Sequence, residues 1–267
     1  MRKVILFLIL SLIFVTPIFA QEFTFNKARE DFVFTEDNYK NDLFDFNLKK
    51  ASYQKNPTLS IKDQLRVSTY KFIISRNELI KNYLTMLRIK TLESTGIENS
   101  TKESIYTKLD PEVVWYEGRK NNYSMANTLE DLINKSKEED SRFERDTTPI
   151  IYLSLAHISL GEVESLKQEH IKLYNSLKKE SEELIKLGRA DAGLFDRWFR
   201  DIDKELNSIT DIEKGTLTEI EKILGDDEYK RDKGYEDAIE TLEPVKSNLL
   251  RLNGFIKELE NVLESKR

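Results

Sequence analysis

The sequence predicts an all-α fold, an elongated antiparallel helical bundle with coiled-coil segments and about six helices. Three observations predict it. Apolar residues recur at alternating spacings of three and four through much of the second half. Glycine and proline are scarce, at 9 and 5 in 267 residues. Charged residues make up 34% of the chain, above the usual ~25%. That composition suits long solvated helices better than a sheet.

The chain begins with a segment that reads as a secretory leader. Arg2 and Lys3 form a charged start, residues 4–15 are apolar apart from Ser11, and Ala20 supplies the small residue a signal peptidase requires. Residues 1–20 are therefore expected to be a signal peptide cleaved after Ala20, which makes the protein extracytoplasmic: periplasmic, at the cell surface or secreted. The alternative is an uncleaved anchor, the only expected membrane contact, although the run is short against the ~20 residues that span a bilayer. The chain has no cysteine, so disulfides, thiolate metal sites and a cysteine nucleophile are excluded. Losing Arg2 and Lys3 takes the formal charge from −6 to −8. An acidic chain lacks the basic surface that displaces phosphate counterions, so no nucleic-acid partner is expected.

Turn signals divide the remainder into helices near 30–55, 60–94, 110–145, 149–187, 193–224 and 229–265. The first is aromatic, with Phe23, Phe25, Phe32, Phe34, Tyr39, Phe44, Phe46 and Tyr53. These read as core anchors or as a docking strip, and residues 21–34 as the weakest helix, an arm. Asn56-Pro57-Thr58 is a turn, after which Ser60 and Asp63 approximate a capping box. In the second helix, Leu65, Phe72, Leu79 and Met86 run beside Ile73, Ile80 and Leu87, an apolar face wide enough for several neighbours. Ser68, Ser75 and Asn82 form a polar stripe beside that row, read as small residues for close packing or as a register or ligand contact.

Gly96 closes the second helix, and Asp110-Pro111 marks the start of the third by placing proline in the first turn. Thr148-Pro149 repeats that device for the fourth. In the fourth, Ala156, Ser159, Val163, Leu166, His170, Leu173, Leu177, Glu180, Leu184 and Leu187 define a heptad seam. Gly188 and Gly193 bracket a joint before the fifth helix, whose looser row is Phe195, Trp198, Ile202, Ile209, Ile212 and Ile223. Gly225-Asp226-Asp227 is another joint. The sixth carries a seam of Tyr235, Ala238, Leu242, Val245, Leu249, Leu252, Ile256, Leu259 and Leu263, with Pro244 either kinking it or marking a helix start. The expected organisation is residues 1–20 as leader, 21–147 as an N-terminal lobe with the aromatic segment, and 148–267 as a heptad-rich C-terminal lobe.

Signs of chemistry are few. The two histidines, His157 and His170, fall on different faces of one helix, and neither has the Glu-x-x-His spacing of a di-iron bundle. Gly188 to Gly193 has the glycine spacing of a P-loop, but Leu194 and Phe195 replace the required Lys and Ser/Thr. Glu162, Glu164, Glu180, Glu182, Glu183, Glu219 and Glu221 read as solvated faces and intrahelical partners of lysines. Trp115-Tyr116 and Trp198-Phe199 read as bundle anchors. Asn99, Asn122 and Asn134 open glycosylation sequons that matter only in a glycosylating compartment. The sequence therefore assigns no catalytic, cofactor-binding or metal residue and no cofactor. It points to a non-enzymatic exported interaction or scaffold protein, with a protein partner or self-association through the heptad seams. The alternative is a sensor-like bundle holding a small ligand, with a pocket at the Ser68, Ser75 and Asn82 stripe or at Trp115.

Overall fold

A computed structural model describes residues 24–225 and 228–267. The leader, Phe23, and the Asp226-Asp227 part of the expected joint lie outside the described residues. All secondary structure among the described residues is helical, and the helices pack as an all-α bundle.

Helix α1 spans Phe25–Lys55 and α2 Leu59–Glu93. The first starts five residues earlier than the sequence suggests, because the Thr24 hydroxyl caps it by accepting from the Lys27 amide at 3.4 Å. The residues read as an arm are helical from Phe25 onward. The cap of α2 is Thr58, which accepts from the Ile61 amide at 3.3 Å. Asp63 is drawn away from the expected capping box and accepts from Arg66 at 2.9 Å. α1 packs chiefly along α2. Ala28 and Thr35 of α1 and Ser68 and Ser75 of α2 are buried, and the two serines spend their hydroxyls on Leu65 and Phe72 carbonyls one turn back. With Asn82 donating to Thr35 at 3.5 Å, the polar stripe serves close packing. The aromatic residues of α1 split: Phe32 meets Tyr83, and Tyr39 and Phe46 meet Phe72 with centroids 5.0–5.7 Å apart. Phe34 and Phe44 stay exposed.

The third helix differs most from expectation. α3 spans Asn99–Arg119 with Pro111 inside it, so Asp110-Pro111 is no helix start. Asp110 instead accepts from Arg88 of α2 at 2.6 Å. A 3-10 turn at Lys120–Asn122 ends α3, and α4 spans Leu129–Arg142. Thr128 and Asp131 form a full capping box there, a signal the sequence carried and the boundary reading passed over. α5, Thr148–Lys186, follows without a break through a π-turn at Phe143–Thr147. It ends where Gly188, at φ 67°, lets the Arg189 amide reach the Leu184 carbonyl at 2.9 Å and its own amide the Ile185 carbonyl. Gly188 of the P-loop-like pair therefore belongs to a helix cap, and Gly193 to the loop before the next helix.

α6 spans Asp196–Ile223, α7 Glu228–Leu242 and α8 Val245–Glu264. Pro244 separates the last two, sitting in the turn where its missing N–H is harmless. One core gathers Leu84 and Leu87 of α2, Ile105 and Leu109 of α3, Ala156 and Ile158 of α5, and Ile220 and Ile223 of α6. It draws on residues from both sides of position 147. A second joins Tyr174, Leu177 and Leu184 of α5 to Ile202 and Ile209 of α6 and to Leu252, Ile256, Leu259 and Leu263 of α8. From Leu252 to Leu263 the seam of the last helix is thus closed within the chain, and each such apolar side chain contributes about 1.5–3 kcal/mol on burial.

Candidate functional site

Three places concentrate chemistry or unsatisfied surface: an open seam on α5, a buried ionic cluster and a polar cleft.

Beyond Gly161 the buried positions of α5 are Lys167, Tyr174, Leu177, Ser181 and Leu184. The heptad placed Leu166, Leu173 and Glu180 there instead, one residue earlier on the helix. The seam is turned because Lys167 pairs with Glu213 of α6, and because Tyr174 packs on Phe199, with centroids 6.0 Å apart. Leu166 and Leu173 are left 44% and 42% exposed. Beside them lies an apolar groove of about 1040 Å³, lined by Val163, Leu166 and His170 of α5 and by Leu242, Val245 and Leu249 from either side of the Pro244 break. Leu250, 64% exposed, forms part of its edge. Glu180 is held by Arg267 at 2.6 and 2.9 Å.

The ionic cluster ties α2, α3 and α4 together. The Glu139 side chain, 1% exposed, accepts from Arg76 at 2.9 Å and from Arg119 at 2.6 Å. Asn77 adds a third donor at 3.1 Å. Next to it Glu112 accepts from Arg142 at 2.5 Å and from the Thr147 hydroxyl at 2.7 Å, so the π-turn is pinned to α3. Trp115 is flanked by the Arg119 and Arg142 guanidiniums, 4.8 and 4.5 Å from its ring, and stands edge-on to Tyr116. Burial pushes the Tyr116 phenol up to about 12. With its faces covered by protein cations, Trp115 acts as an anchor. Trp198 does likewise, donating to Glu258 at 3.1 Å and packing on the second core.

The cleft, of about 860 Å³, opens between the loop following α2, the middle of α5 and α6. Gly96 lies directly on Gly161 of α5 there: a Cβ added at Gly96 would sit 1.8 Å from the Gly161 carbonyl oxygen. Thr95 and Ser165 hydroxyls meet at 2.8 Å beside that contact. Lys167 stands between two carboxylates, pairing with Glu164 at 2.5 Å and with Glu213 more closely still. Burial works against its charge, but those hydrogen bonds outweigh it and hold its pKa above the ordinary 10.5. Glu164 is thus a partner of a lysine one turn on, as read from sequence, yet it faces a cleft and not open solvent. His157 lines the cleft and His170 the groove, on separate faces. Burial lowers the pKa of His157. Among the described residues no group of three or more His, Cys, Asp or Glu is placed to hold a metal ion. Among them, too, no helix is long and apolar enough to cross a membrane.

Burial raises the pKa of Glu213 above the ordinary 4.5, with Lys167 opposing and Glu164 adding to the rise. The native state therefore binds more protons at this carboxyl than the unfolded chain over the window from 4.5 up to the raised value. Stability from this group is present below that window and is lost as pH rises through it. The expected result is a Glu213 carboxyl that titrates above the exposed glutamates in carbon-detected NMR, and a Glu213→Gln variant whose stability falls less across that window. Titration of Glu213 together with the exposed carboxylates would contradict this.

Compared with known proteins, the chain matches no protein-family model, and no curated protein or solved structure matches it.

Proposed function

We propose that this chain is an exported, non-enzymatic interaction protein that acts outside the cytoplasm and associates with a second copy of itself through the open seam of α5. The observation that carries the reading is the exposure of Leu166 and Leu173, two leucines in heptad register that no helix among the described residues covers. A row of leucines spaced by seven is a row of knobs for a helix. The adjoining groove supplies apolar holes from α5 and from the α7–α8 junction. Knobs and holes in one patch fit a two-fold contact, in which the same surface serves on both partners. The leader-like residues 1–20 support export.

The purified protein is expected to show the mass of two chains in size exclusion with light scattering. Combining Leu166→Glu with Leu250→Glu should return a single-chain mass with the helical circular dichroism unchanged. A wild-type protein of one-chain mass, or a dimer indifferent to both charges, would overturn the self-association reading. Recovery in the cytoplasmic fraction of its host would overturn export.

A further inference from the structure

Around the cleft the carboxylates outnumber the ammoniums by one: Glu98, Glu164, Glu169 and Glu213 against Lys167, Lys172 and Lys214. Glu164 and Glu213 both face the ammonium of Lys167. Both oxygens of Glu164 are engaged, one by Lys167 and the other by the Gln168 amide at 2.8 Å. Glu213 differs. It is 8% exposed, its Oε2 is taken by Lys167, and its Oε1 has no hydrogen-bond partner. A carboxylate oxygen withdrawn from water and left without a donor is costly, and in a poorly solvated place the surplus charge favours a cation.

The surroundings say what kind of cation. A volume of about 860 Å³ is the size of a small-molecule pocket and far exceeds a bare ion. Ile97, Leu160 and Leu217 give it apolar walls. The described residues offer no cluster of metal ligands. What fits is an ammonium head that donates hydrogen bonds, carried on a hydrocarbon body. We propose that this cleft binds a small primary ammonium compound, its head received by the Glu164–Glu213 pair and its body lying against Ile97, Leu160 and Leu217. The close Gly96–Gly161 contact keeps the loop wall against α5, so the cleft is formed before the ligand arrives. This site shares neither the surface nor the partner of the α5 seam, and its test is independent of that reading.

The test is an NMR titration of the whole protein with n-butylammonium chloride, set against n-butanol, which has a similar shape and no charge. Saturable shifts are expected for residues of the cleft with the ammonium, at least tenfold weaker with the alcohol. Glu213→Gln should weaken the ammonium at least tenfold while circular dichroism stays helical. Leu217→Lys, which leaves the three charged groups in place and adds a cation at a partly exposed wall, should also abolish the response. Absence of saturable shifts, equal responses to amine and alcohol, or undiminished binding in Leu217→Lys would each overturn the proposal. So would undiminished binding in a folded Glu213→Gln.

Discussion

Replacing Glu139 with alanine is expected to cost about 3–5 kcal/mol, because it leaves the Arg119 guanidinium without its carboxylate and Arg76 with Asp140 alone, rather than deleting one favourable pair. The Arg76 and Arg119 side chains are only 15% and 16% exposed, so water cannot take over the lost partner. For a chain of this size such a loss lowers the melting temperature by about 6–20 °C. Thermal and urea unfolding would measure it. The cause is separable from mere cavity formation. If stranded charge dominates, Arg76→Met and Arg119→Met added to Glu139→Leu should recover most of the stability, since buried ionic groups exchange for well-packed apolar ones at little cost. If the triple variant is as unstable as Glu139→Ala, the cluster is held by shape and the electrostatic account is wrong.

Gly96→Ala is the second large effect. The new Cβ would lie 1.8 Å from the Gly161 carbonyl oxygen and 2.7 Å from its carbon, both backbone atoms in the middle of α5 that have no rotamer to escape into. Overpacking of this kind costs about 1–3 kcal/mol and more where backbone must shift. Gly161→Ala meets Ile97 Cγ1 at 2.6 Å, a side-chain atom with some freedom, and should cost less than Gly96→Ala. Gly254→Ala in α8 is the control. No atom lies within 4 Å of its added Cβ, and it should gain about 0.5–1 kcal/mol from helix propensity alone. Equal effects at all three positions would contradict the packing argument.

These cases mark where the sequence stops being readable. Periodicity and turn signals located most helices because both depend on nearest neighbours along the chain. The seam of α8 was legible from Leu252 onward, since Leu252, Ile256, Leu259 and Leu263 all are buried, while Leu249 of the same row borders the open groove. On α5 two rows compete, one leucine-rich and one containing Lys167, Tyr174 and Ser181. Apolar counting favours the first; the fold buries Ala156, Leu177 and Leu184 of that row but takes Lys167, Tyr174 and Ser181 from the second. The reason lies on another helix: Glu213 and Phe199 of α6 supply the partners that make a lysine and a tyrosine good interior residues. No local pattern records that. The cleft was hidden for the same reason. Glu164 and Lys167 are an ordinary intrahelical pair in sequence, and only the arrival of Glu213 from 46 positions away turns them into a charged floor. Gly96 was legible as a helix stop; its meeting with Gly161 was not. Asp110-Pro111 misled because proline in a first turn and proline tolerated inside a helix look alike until the Arg88 partner of Asp110 is seen.

The wide turn at Phe143–Thr147 leaves α4 and α5 as one uninterrupted rod with a change of phase in it. Each residue of a helix carries the chain round by about 100°, so the number of residues in that turn fixes which side of α5 meets α2 and α6. Substitutions at its exposed Arg145 leave that phase untouched. Deleting a single residue would rotate everything downstream, carrying Gly161 off Gly96 and Lys167 off Glu213 together. For this stretch the chain specifies a length before it specifies a composition, much as a gear train depends on its tooth count rather than its metal.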